Sequence, residues 1–220
     1  MLNDAGIVRY LKDLCLLLIW VSALIIVVVT TARQIPAEIE SRTIYPLLAK
    51  PVTRAQVILG KFLGCWLASG IALVVFYLFF AVVTGLREHQ WHLAAYLQAF
   101  WLQWAFLAIV TALVMLGSMT FTTSSVNSTV SLIVVAGLLF IGGHLGKLAL
   151  RQAEPIRSIG YTIYFIIPHL EFYDIRDQVV NNRPLPGGLN CFLASLYAAG
   201  YSAAFLLLAW LGFRRKALNK

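Results

Sequence analysis

The chain has 220 residues, 60% of them hydrophobic and only 12% charged, with a formal net charge of +8 and a mean hydropathy of +0.83. Soluble domains are roughly half apolar and a quarter charged, so this composition excludes a soluble globular domain and marks an integral membrane protein. The basic residues gather at the ends of apolar runs, which assigns the charge to orientation and anionic headgroups rather than nucleic acid, and Cys15, Cys65 and Cys191 lack the paired spacing of a metal or disulfide framework.

About 20 apolar residues cross the hydrocarbon core as a helix. Five runs meet that need, at residues 14–32, 57–86, 93–119, 128–145 and 191–213, and predict an all-α membrane fold of one domain over residues 1–220. The first run, LCLLLIWVSALIIVVVTTA, lacks the alternation of a barrel strand. The stretch before it, GIVRYLKDL, reads as a loop leading into the membrane. The second run is longer than one crossing requires, so it must tilt or project, with Lys61 near its start placed to snorkel to the headgroups.

Between these runs lies a polar interruption, residues 33–56. Ile44, Leu47 and Leu48 recur at i, i+3, i+4, the pattern of a short amphipathic helix. Glu40, Arg42, Thr43 and Lys50 take its other faces. Pro51 lacks the N–H to continue that helix, and Thr53 is placed to cap the next one. By composition alone this is a surface helix resting on lipid. Its sharper reading is a helix shaped to dock into a cytoplasmic partner.

The third run follows the turn LREHQWH. His89 and His92 beside Glu88 have a spacing compatible with a metal, but the position suits a solvated interfacial turn, and no metal is assigned. Trp91, Trp101 and Trp104 read as an aromatic belt. Gln98 and Gln103 read as helix–helix hydrogen-bonding groups. The Ser/Thr-rich run Thr120 to Thr129 reads as a cytoplasmic turn, and Gly142 and Gly146 as a small-xxx-small packing pair. In the segment 146–190, Ile159 to Pro168 is too short to cross and reads as an interfacial or re-entrant helix. HLEFYDIRDQVVNNRPLPGG reads as an ordered extramembrane loop closed by a Pro-Gly-Gly turn.

Arg33, Arg42, Lys50 and Arg54 in the first polar loop, and Arg214, Arg215, Lys216 and Lys220 in the tail, fall on one side of a five-span chain. The positive-inside rule makes that side cytoplasmic and turns residues 146–190 outward. The same count places Met1 outside without a signal peptide, and leads to the expectation of a further span ahead of the first.

The stretch ARQIPAEIESRTIYPLLAKPVTRAQVILGKFLG resembles the signature segment of type-2 ATP-binding-cassette permeases. Glu38, Glu40, Arg42, Thr43, Leu47, Leu48, Lys50, Pro51, Thr53, Arg54, Leu59, Gly60, Lys61 and Gly64 carry the likeness. YFIIPHLEFYDIRDQVV resembles that family's external segment before its last span, and WLGFRRKAL its closing motif. The resemblance covers essentially the whole chain and departs at the start, where the family has one more span.

What the resemblance implies is an exporter's permease subunit in the cytoplasmic (inner) membrane, whose cytoplasmic segment couples to an ATPase. Two such subunits, as a homo- or heterodimer, would form the path through the lipid. The ATPase-docking residues it implies are Glu38, Glu40, Arg42, Thr43, Tyr45, Leu47, Leu48, Lys50, Pro51 and Arg54, with Gly60, Lys61 and Gly64 as a structural motif. The chain has no GxxxxGK[ST] phosphate loop. GGHLGKL has the wrong spacing, and Leu148 follows Lys147. It is therefore read as a non-enzyme without catalytic residues or a cofactor of its own, ATP and Mg belonging to a separate ATPase. The alternative is a non-transporting membrane anchor or assembly factor with a cytoplasmic docking helix.

Overall fold

In lipid the backbone must satisfy its own hydrogen bonds, and every described element of this chain is helical. The structure, a computed structural model, describes residues 4–40, 53–88, 90–121, 123–149 and 167–215. The expected amphipathic helix around Leu47 and the expected interfacial stretch 159–168, up to its last two residues, lie outside the described residues. Helix α1 is Asp4–Arg33, α2 Pro36–Glu40, α3 Arg54–Glu88, α4 Leu93–Thr120 and α5 Ser124–Ala149. A 3-10 turn Leu170–Tyr173, a short α6 (Arg176–Val180) and α7 (Gly188–Arg215) complete the order.

Helices α1, α3, α4 and α7 are long and apolar enough to cross a membrane. At 35 residues and about 1.5 Å per residue, α3 exceeds the roughly 30 Å hydrocarbon core, as its sequence requires. The expected span 128–145 falls within α5, whose described apolar part, Ser124–Phe140, is shorter than a full crossing. Gly142 and Gly146 lie in α5 beyond its described packing.

Helix α4 is the centre of the bundle, packed by α7, α1, α3 and α5. Of its spanning stretch 72% is buried, against 17% of α7's, although α4 is less apolar than α1 or α3. Between helices in lipid there is no hydrophobic drive, so close packing and hydrogen bonds decide which helix goes inside. Gln103, Thr111 and Ser118 of α4 are all buried. Tyr77 Oη of α3 donates to Gln103 Oε1 at 2.8 Å. Gln98 Nε2 donates to the Pro186 carbonyl at 2.8 Å. Both glutamines thus join elements, as their sequence positions suggest.

Three expectations are corrected. The stretch GIVRYLKDL is not a loop but the first turns of α1. Lys12 is fully buried there, with Nζ 2.6 Å from Glu88 Oε1 at the far end of α3. That contact is an ion pair by distance, without hydrogen-bond alignment, and it is what lets a charged stretch continue as helix. It also occupies the carboxylate of the turn that carries His92; His89 lies outside the described residues.

The run Thr120 to Thr129 is mostly helix, because Asn127 is fully buried against α4. Its amide donates to Ser118 Oγ at 2.9 Å and the Val114 carbonyl at 3.2 Å, and its Oδ1 accepts from Ser131 Oγ at 3.3 Å. Gly117 makes this approach possible, since a Cβ there would overlap Asn127 Oδ1. Trp104 is no belt residue. It stacks on Trp66 of α3 with centroids 4.5 Å apart, and each indole N–H reaches the other residue's carbonyl, at 3.0 and 3.2 Å. Trp91 and Trp101 are the exposed members of the three, at 56% and 46%.

The described stretch 167–187 before α7 does more than connect. Leu170, Tyr173, Ile175, Val179 and Val180 are buried against the bundle, and Tyr173 Oη donates to the Ala194 carbonyl at 2.8 Å. Arg176 grips Asp174 through two nitrogens, at 2.8 and 2.7 Å, and lies 5.4 Å from the Trp20 ring centroid. Burial raises the Asp174 carboxyl, but the hydrogen bonds and charge of Arg176 outweigh it and hold the group below its ordinary range. Asn182 turns the chain after α6 at φ 49°, a left-handed conformation that asparagine tolerates.

Candidate functional site

The helices alternate in direction, so the ends of α1, α4 and α7 meet the starts of α3 and α5. At this end lie the two described limbs of the polar segment, α2 and the start of α3. A bend at Gln34, whose N–H bonds the Thr31 carbonyl at 3.1 Å, separates α1 from α2. Pro36 opens α2, where its missing N–H costs nothing. Glu38 follows in the first turn.

Helix α3 begins with a reciprocal cap. The Gln56 N–H bonds Thr53 Oγ1 at 3.3 Å, and the Thr53 N–H bonds Gln56 Oε1 at 2.8 Å. Two of the orphan donors of a helix start are thereby satisfied, and the capping role read for Thr53 is met. Arg54 then reaches across the bundle. Its Nη1 donates to the Phe213 carbonyl at 2.7 Å and the Arg214 carbonyl at 3.3 Å, with the guanidinium 5.3 Å from the Phe213 ring centroid. A cation placed on the last carbonyls of α7 complements that helix's dipole.

Two turns into α3, Lys61 Nζ sits 2.5 Å from Glu38 Oε1 and donates to the Gln34 carbonyl at 3.2 Å. Lys61 therefore does not snorkel to headgroups. Its side chain is 12% exposed, and its ammonium clasps the two limbs of the polar segment. Beneath lies an apolar floor that includes Ile35, Ile58, Phe62, Met115, Met119 and Phe213.

Of the residues singled out by sequence, Glu38, Arg54 and Lys61 thus meet at one end of the bundle, and Glu40 closes α2. Arg42, Thr43, Tyr45, Leu47, Leu48, Lys50 and Pro51 lie outside the described residues. Gly60 and Gly64 take the outward face of α3, with nothing within 4 Å of a Cβ built on either. The partners that sequence reasoning missed are the carbonyls of Gln34 and Phe213; a main-chain acceptor carries no residue-type signal. Among the described residues no group of metal-ligating side chains occurs.

Above the clasp, a groove of about 700 Å³ runs between α3 and α7 over α4. Phe62, Trp66, Trp101, Trp104 and Trp210 line it, facing small residues of α7 such as Ala199 and Ala203. Gly70 belongs to the same packing, since a Cβ there would meet the Trp104 ring at 2.6 Å.

The ABC-2 family transporter protein family matches residues 12–217, nearly the full chain. The chain belongs to that family. No curated protein matches it. As an ABC-2 protein it is a multi-pass membrane permease subunit of an ATP-binding-cassette transporter, the membrane component rather than the ATPase. Association with an ATP-binding-cassette ATPase follows generally from membership. The clasp is thus a feature of an ABC-2 permease, on the helices that flank its polar segment 33–56.

Proposed function

We propose that this permease exports its cargo across the cytoplasmic membrane with ATP hydrolysed, on Mg, by a separate ATPase subunit that docks on residues 33–56. The observation that carries the reading is the clasp. Glu38 stands in the first limb of that segment and Lys61 just beyond its end in α3, and their ion pair ties both limbs together. Arg54 fastens the start of α3 to the end of α7. A push on the segment is then delivered to α1, α3 and α7 as one body, rather than dissipated in a loose loop. In this reading five helices span the bilayer, α5 among them, the inner end and the tail face the cytoplasm, and a second permease subunit completes the path.

The test is coupling. Leu47→Asp and Leu48→Asp place a charge where the docking helix meets the ATPase, and a charge buried unpaired in an interface is strongly destabilising. Reconstituted with the ATPase, both variants should hydrolyse ATP without moving cargo, or lose the ATPase altogether. Normal assembly with coupled transport in both contradicts the reading. Stable assembly of the native chain with no nucleotide-dependent transport points instead to an anchor.

A further inference from the structure

The groove between α3 and α7 has features of a lipid site rather than of a transport path. Its lining is almost wholly apolar, so it offers nothing to a hydrated cargo, and it opens on the flank of the bundle. Around it the outward faces are hydrocarbon: Leu59, Leu63 and Leu67 of α3 and Leu207, Leu208 and Leu211 of α7 are all exposed. The groove's lining runs along the helices from Trp101 and Ser195 down to Ala55 and Trp210. At that lower end stand two guanidinium groups. Arg54 is the neighbour of the lining residue Ala55, and Arg214 lies 5.8 Å from the ring centroid of the lining residue Trp210. Among the described residues neither is in an ion pair with a carboxylate. Arg54 spends one nitrogen on main-chain carbonyls, which satisfies donors but does not neutralise charge, and guanidinium is suited to bidentate phosphate binding.

We propose that this groove binds one acyl chain of an anionic phospholipid, with its phosphate held by Arg54 and Arg214. Charge complementarity selects that occupant. A neutral apolar guest would fill the groove and leave the two cations unmatched, whereas an anionic headgroup at the inner leaflet gains about the attraction expected of juxtamembrane basic residues. The site follows from the groove and its charged mouth and does not depend on the export reading. It stands on the flank of one subunit, and the lipid there is a bound component, wedging α3 against α7 where Arg54 joins them.

The test uses tryptophan fluorescence, since four of the six tryptophans, Trp66, Trp101, Trp104 and Trp210, line the groove. The full chain, carrying Trp91→Phe to remove the exposed indole outside the groove, is reconstituted into phosphatidylcholine vesicles. Brominated phosphatidylglycerol or brominated phosphatidylcholine is then titrated in. The proposal expects saturable quenching by the brominated phosphatidylglycerol at mole fractions on the order of tenfold lower than for the phosphatidylcholine. Arg214→Gln, which removes an exposed charge and its contact with Trp210 but leaves the main-chain carbonyl that Arg54 holds, should cut that preference several-fold. Ala203→Phe should abolish saturable quenching by filling the groove, with gel-filtration behaviour unchanged. Equal quenching by the two lipids, or a preference untouched by both variants, overturns the proposal. So does absence of quenching by either lipid, the result expected if another protein helix covers the groove.

Discussion

Arg54 Nη1 donates to the carbonyl of Phe213 at 2.7 Å, joining residues 159 positions apart in the chain. The bond closes the end of the bundle where α3 starts and α7 ends. Because the acceptor is a helix-terminal carbonyl, it also supplies α7 with the C-terminal cation that its dipole favours. The arginine at the start of α3 is therefore a structural fastener of the last helix.

Replacing this group should loosen α7. Arg54→Ala removes a charge-assisted hydrogen bond and the stacking on Phe213, a loss of about 2 kcal/mol. Arg54→Lys keeps the charge but not the fork, and should recover only part of it. Thermal unfolding of the detergent-solubilised complex measures both. Equal stability of the alanine variant and the native chain would mean that the contact does not hold α7.

The ion pair between Lys12 and Glu88 makes a sharper prediction, since Lys12 is fully buried. Lys12→Met strands the carboxylate and should cost roughly 3–5 kcal/mol. The double variant Lys12→Met, Glu88→Gln removes both charges and should recover most of the loss. A double-mutant cycle by chemical denaturation reads the coupling energy. Additive single and double variants would show that the two groups act separately.

At the crossing of α4 and α5, Gly117→Ala should push Asn127 out of its bonds to Ser118 and Val114. Overpacking of this kind costs about 1–3 kcal/mol. Adding Asn127→Ala to Gly117→Ala should give back part of that, because the obstructing amide is gone. If the single variant is as stable as the native chain, the close approach at Gly117 is not required.

Topology is checked by labelling with a membrane-impermeant thiol reagent. A cysteine replacing Asn181, after α6, should react in intact cells, and one replacing Asn219, in the tail, should react only after the cells are opened. The opposite pattern would invert the orientation drawn from Arg33, Arg54 and Arg214.

Much of this architecture can be read from local pattern. The apolar runs locate the long helices because the bilayer imposes one length on all of them. Thr53 can be picked as a cap because its partner, Gln56, lies three residues away. Glu38, Arg54 and Lys61 stand out through their family likeness, but their partners do not. Lys12 looks like a loop residue until Glu88, 76 positions on, is seen to neutralise it. Asn127 looks like part of a turn until α4 supplies its acceptors, and Trp104 looks interfacial until Trp66 stacks on it. Nor does hydropathy reveal that α4 is central, because all four of the long spanning helices are apolar and lipid accepts any of them at the surface. What the sequence conceals in each case is a pairing between distant helices.

The central claim is that residues 33–56 meet the ATPase and that the clasp carries its movement into the bundle. A photo-crosslinking amino acid at position 47, with a control at Leu189 near the start of α7, tests it in the assembled transporter. The account predicts a crosslink from position 47 to the ATPase subunit, altered by trapping ATP in that subunit, and none from position 189. Crosslinks from position 47 to lipid alone, with the ATPase joined equally well or better from position 189, would contradict it.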